Sequence, residues 1–146
     1  MLAQAYLEMK KRHEEELNKF PIAYAFNDEQ LKEALVKLGA ESTKECVTVF
    51  GHGDIVKKEN ASKLIEMLKR HTAEVKEALK NDADFAYEAF RYEMDNHEYA
   101  INWDGDDDVL GCFCIDWDDI QEWGLQLAWS KARREHYKQM EEWGVI

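Results

Sequence analysis

Residues 21–39, PIAYAFNDEQLKEALVKLG, place a strand, a helix start and a helix stop in one short run. Pro21 bars continuation of any helix before it, because proline has no amide to donate and its ring collides with the preceding turn. Ile22 to Phe26 then reads as a short buried strand. Asn27 followed by Gln30 has the capping-box arrangement, in which each side chain satisfies an amide left over at a helix start. A helix is therefore predicted from about Asp28 to Leu38, stopping at Gly39. A strand running directly into a capped helix points to an α+β chain.

On the N-terminal side, Leu2, Tyr6, Met9, His13, Leu17 and Phe20 recur at steps of three and four, the stripe of an amphipathic helix. On the C-terminal side, Cys46 to Phe50 is rich in β-formers, and Gly51-His52-Gly53-Asp54 supplies a tight reversal before Ile55 and Val56. Asn60 is placed to cap a third helix with Leu64, Leu68, Val75 and Leu79 near one stripe. A fourth helix is expected from Ala83 to about Tyr92. His97 to Trp103 alternates as a strand would, with Tyr99, Ile101 and Trp103 on one face. Asp104-Gly105 ends it, Asp106 to Cys114 reads as a short helix, and a long last helix is expected from about Trp117 to Trp143. The resulting expectation is one α+β domain over 1–146, with a small mainly antiparallel sheet from 22–26, 46–56 and 97–103 covered by four or more helices.

The charge is lopsided. The chain carries a formal net charge of -12, and residues 81–122 hold fourteen acidic side chains against Arg91 alone. Such a field repels nucleic acid and anionic membranes and speeds encounter with a basic surface. Hydrophobic content of 45 % excludes the disordered class. Cys46, Cys112 and Cys114 are odd in number and fit neither a disulfide framework nor a C-x-x-C pair, which suits a reducing cytoplasm. No apolar run approaches the ~18 residues of a spanning helix, and neither a signal peptide nor an anchor is expected.

No catalytic signature accompanies the acidity. Placing Gly105 as the obligatory glycine of a calcium loop puts Ala100 and Gly111 at positions that need carboxylates, so that motif fails. His52 and His97 could act as bases or ligands, but neither has a partner at recognised ligand spacing in this reading, and each is expected to be a turn or surface residue. Cys112 has no cation close in sequence and is expected to be a buried apolar cysteine. His13 is expected at the edge of the core. No metal, cofactor or catalytic residue is expected, and the enzyme alternative is a metal-dependent hydrolase using His52 or His97 with aspartates. On the last helix, Ile120, Trp123 and Leu127 form one stripe and Leu125, Trp129, Ala132 and His136 another; either both are buried in the domain or one meets a second chain.

At Ala25-Phe26 with Gln30, at the Gly51 and Gly53 turn, and at Tyr92-Glu93-x-x-Asn96-His97-Glu98-Tyr99, the middle of the chain, from Ile22 to Trp103, resembles small acidic proteins carried by phages and other mobile elements. The resemblance implies a cytoplasmic inhibitor of a host defence protein, of the anti-CRISPR or anti-restriction type, in which carboxylates stand where DNA phosphates would lie. The expected function is non-enzymatic binding to a basic, nucleic-acid-binding surface, with no direct contact to nucleic acid or membrane. Candidate partner-binding residues are Glu88, Glu93, Asp95, Glu98, Asp104, Asp106, Asp107, Asp108, Asp116, Asp118 and Asp119, with Trp103 and Trp117 as aromatic anchors. The alternative is a structural or regulatory protein that forms a homodimer or hetero-complex through its aromatic helix stripes.

Overall fold

A computed structural model describes residues 2–146. They form seven α-helices and a three-stranded antiparallel sheet, an α+β architecture as expected. The chain divides into two compact units, Lys11–His71 and the pair of segments Met1–Lys10 and Thr72–Ile146. It passes from one unit to the other within helix α1 (Gln4–Lys19) and again within helix α3 (Lys58–Asn81).

The Lys11–His71 unit contains β1 (Ala23–Tyr24), α2 (Asp28–Leu38), β2 (Cys46–Val47) and β3 (Asp54–Lys57), in the sheet order β1-β3-β2. The Asn27 side chain accepts the Gln30 amide at 2.8 Å, and the Gln30 side chain accepts the Phe26 amide at 2.8 Å, so α2 starts where the sequence predicts. It ends at Gly39, also as predicted. The central strand β3 alternates between two layers, as a strand must. Ile55 packs with Ala23, Ala34 and Leu38 on the α2 side, while Val56 packs with Ile22, Leu64 and Met67. Asn60 is not the cap of α3, because the helix begins at Lys58 directly after β3 and Asn60 falls inside its first turn.

Asp54, only 1 % exposed, organises the hairpin. Its carboxylate accepts the Thr48 hydroxyl at 2.8 Å and the amides of Val49, Phe50 and His52 at 2.7, 3.0 and 3.2 Å. Burial alone would raise its pKa, but these four donors outweigh that and hold it well below the ordinary carboxylate range. His52, exposed at the turn, serves through its backbone amide.

The second unit holds α4 (Ala83–Asn96), a 3-10 turn (Tyr99–Ile101), α5 (Gly105–Cys112), α6 (Trp117–Glu122) and α7 (Gln126–Glu142). Helix α4 runs past Tyr92 because its inward face continues through Glu93 and Met94, both buried. The expected strand at 97–103 does not form. Glu98 takes a left-handed conformation with φ 51° after α4, and the Asn102 side chain donates to the His97 carbonyl at 3.0 Å, folding the segment into a turn. Tyr99 goes inward, while Ile101 and Trp103 of the supposed inward face are exposed. The expected long last helix is two helices. Gly124 adopts φ 66°, its amide returns to Gln121, and the Leu125 amide returns to Ile120, closing α6 with a glycine that reaches the left-handed region without a Cβ penalty. Leu125, Trp129, Ala132 and His136 are then buried in this unit, and Leu127 is exposed.

Trp129 is the hub of this core: edge-on aromatic contacts join it to Trp117 at 4.9 Å, Phe90 at 5.1 Å and Tyr99 at 6.2 Å between ring centroids. Trp129→Ala should cost about 3–5 kcal/mol in denaturant unfolding, the range for emptying a buried aromatic site; a loss below about 1 kcal/mol would contradict this packing. Asp54 contributes stability above the ordinary carboxylate range, and that stability is lost as pH falls through its depressed folded pKa. Asp54→Asn should therefore lower stability at neutral pH by roughly 1.5–3 kcal/mol and flatten the acid limb of stability against pH, both read by circular dichroism.

Candidate functional site

The acidic segment is divided between structural and surface duties. Asp82 accepts the amides of Asp84 and Phe85 as the cap of α4, and Asp116 and Asp119 form a reciprocal capping box on α6. Asp95 is half-buried and receives His136 Nδ1 at 2.6 Å. The other ring nitrogen of His136 accepts the Ala100 amide at 3.0 Å, which fixes the proton on Nδ1 facing Asp95. Asp95 thus ties α4 to α7 rather than facing outward. Glu93, expected to face a partner, is 2 % exposed, and a side chain buried to this degree presents nothing to a docking protein. Glu88 and Asp119 are partly buried, while Glu98, Asp116 and Asp118 are exposed.

The outward-facing concentration is the turn into α5. Asp104, Asp106, Asp107 and Asp108 are all exposed within the start of one helix, next to Trp103, whose side chain is fully exposed. Two contacts brace this turn. The Tyr99 hydroxyl donates to Asp106 and Asn102 donates to Asp108 at 2.8 Å. Burial, reinforced by the Asp106 carboxylate, pushes the Tyr99 phenol up to about 12, so it remains a donor. Gly105 lets the backbone approach: a Cβ there would stand 2.9 Å from the Tyr99 ring and 3.1 Å from its carbonyl oxygen. Trp117 is partly exposed and rests edge-on against Trp129.

A second cluster lies at the end of α4. Glu93 and His97 stand four residues apart on one helix face, and the last residue of α5, Cys112, closes on them. His97 Nε2 is 3.6 Å from Glu93 Oε2 and 3.2 Å from Cys112 Sγ, and the three donor atoms lie within 4.8 Å of one another. Lys10 Nζ pairs with the other Glu93 oxygen, Oε1, at 3.3 Å and sits over the rings of Tyr6 and Tyr92. Cys112 is exposed as a residue, against the expected buried apolar cysteine, yet its sulfur is turned onto the Asp108 carbonyl at 3.2 Å. Burial of the thiol, with the Glu93 carboxylate as hydrogen-bond acceptor, pushes it up to about 12. Cys112 Sγ and Glu93 Oε2 both face the same ring nitrogen of His97, whereas a thiol–imidazole nucleophile needs its orienting carboxylate on the opposite nitrogen. The sequence carried the Glu-x-x-x-His spacing, but ending α4 at Tyr92 removed it from view. Among the other histidines, His13 is half-buried and stacks on His71 with centroids 4.0 Å apart.

Residues 5–144 match a family described as "Family of unknown function (DUF7659)", and the chain belongs to that family. No curated protein and no solved structure matches it.

In chelator-containing buffer near pH 8, alkylation of Cys112 should run at least about 100-fold slower than that of a model thiol of pKa ~8.5, as followed by mass-spectrometric mapping. A rate equal to the model thiol would show that the sulfur is not held as described.

Proposed function

We propose that the turn carrying Trp103, Asp104, Asp106, Asp107 and Asp108 docks onto a basic, nucleic-acid-binding protein, and that the chain inhibits this partner by occupying its phosphate-binding surface without catalysis. The observation that carries this reading is the full exposure of Trp103 beside the densest run of exposed carboxylates in the chain. A helix start gains from one or two acids in its first turn, through the helix dipole. Three successive aspartates, with a fourth just before them, exceed that need and crowd like charges together. A basic partner relieves the crowding, and a large rigid aromatic at the centre of a charged patch is the residue type that dominates binding energy once desolvated. Carboxylates fixed on a braced turn avoid the ordering cost of a flexible polyanion. The resemblance to acidic proteins of mobile elements favours a defence protein as partner, a CRISPR effector or another enzyme that grips DNA.

The immobilised chain should capture its partner from host lysate at low salt, lose it as salt rises, and release it on addition of excess duplex DNA. Asp106, Asp107 and Asp108 changed together to Asn should weaken capture far more than Glu14, Glu15 and Glu16 changed to Gln. Trp103→Ala should weaken it about 30-fold, equivalent to about 2 kcal/mol, with unfolding unchanged because the side chain is exposed. Capture that resists both salt and DNA, or that the two triple variants impair equally, would remove this reading.

A further inference from the structure

We propose that Glu93, His97 and Cys112 form a three-ligand site for a zinc-class divalent cation, with the fourth position left to water. The site shares α5 with the docking turn, where Cys112 donates to the Asp108 carbonyl, but the proposal does not rest on docking. Three donors of different chemistry, a carboxylate oxygen, an imidazole nitrogen and a sulfur, converge from two helices onto one point. Bond lengths of about 2.3 Å to sulfur and about 2.0 Å to nitrogen and oxygen put tetrahedral ligand pairs roughly 3.3–3.6 Å apart. The separations of 3.2 Å between Sγ and Nε2, and 3.6 Å between Nε2 and Oε2, are within a few tenths of an ångström of that geometry, and the remaining Sγ–Oε2 pair, within 4.8 Å, closes on the ion.

The surroundings fit as well. Lys10 occupies Oε1 of Glu93, which holds the carboxylate plane and leaves Oε2 directed at the other two donors. This is the role an outer partner plays in orienting a metal ligand. Glu93 is buried and His97 and Cys112 are half-buried at the cluster, so it has a floor and a partly open side. A buried carboxylate with one cationic neighbour gains further compensation from a bound cation. Sulfur with imidazole selects zinc over magnesium or calcium, which prefer all-oxygen shells. Coordination forms the metal–sulfur bond as the thiol proton leaves to solvent; no oxidation state changes.

The test uses the full chain freed of metal by chelation, then titrated with Co²⁺ as a spectroscopic stand-in and with Zn²⁺ as competitor. A sulfur-to-cobalt charge-transfer band should grow to saturation at one equivalent and be abolished by Zn²⁺. Cys112→Ser, at an exposed position, should fold as the parent chain does and lose the band, while Cys114→Ser keeps it. His97→Ala should weaken binding by at least the roughly 10-fold that loss of even an outer partner costs. Glu93→Gln should do the same, its helicity checked by circular dichroism because the residue is buried. No band in the parent chain, a band that survives Cys112→Ser, or one that Cys114→Ser removes would each overturn the site.

Discussion

The packing of α4 against α7 is the constraint on which the second unit depends. Three contacts of different kinds hold the seam. The Phe90 and Trp129 rings meet edge-on, Arg91 donates to the Gln139 side chain at 2.7 Å, and the buried His136 joins Asp95. Aromatic burial stabilises the pair, while the two polar contacts fix register along it, since each leaves a costly unmatched group if the helices slide. Held this way, α4 stays helical as far as Asn96. That extension turns Glu93 inward and brings His97 onto the same face.

Much of the first unit was legible because its signals act over a few residues. Asn27, Gln30 and Gly39 define α2 by contacts within single turns, and the Gly51 and Gly53 reversal sits where the hairpin needs it. The strand expected at 97–103 failed for the opposite reason. Its alternation of Tyr99, Ile101 and Trp103 matches a pleated face, yet among the described residues it pairs with no strand, and Glu98 and Asn102 close a compact turn instead. The sequence predicts one last helix because a lone glycine is tolerated within a helix; whether Gly124 breaks one is decided by the amides that return to Gln121 and Ile120.

The candidate sites divide along the same line. Exposed aspartates beside Trp103 could be read from composition, because charge density along the chain is a local property. Which carboxylates turn inward could not: Glu93 and Asp95 are indistinguishable in sequence from their exposed neighbours until α7, Lys10 and α5 take their places around them. Cys112 is fifteen positions from His97, and only the turn after α4 brings the two together.

The unit that holds both candidate sites is discontinuous in sequence, and this bears on its synthesis. Tyr6 is made well before the rings it packs against, Phe85, Tyr92 and Phe113. At the usual pace of about 5–20 residues per second, Tyr6 waits roughly 4–16 s before the first of these rings is polymerised. Lys11–His71, by contrast, is contiguous and has its whole sheet on hand as soon as α3 begins. On the ribosome the order of completion therefore runs from the interior of the sequence outward. The turn of α1 that carries Tyr6 waits for partners made long after it.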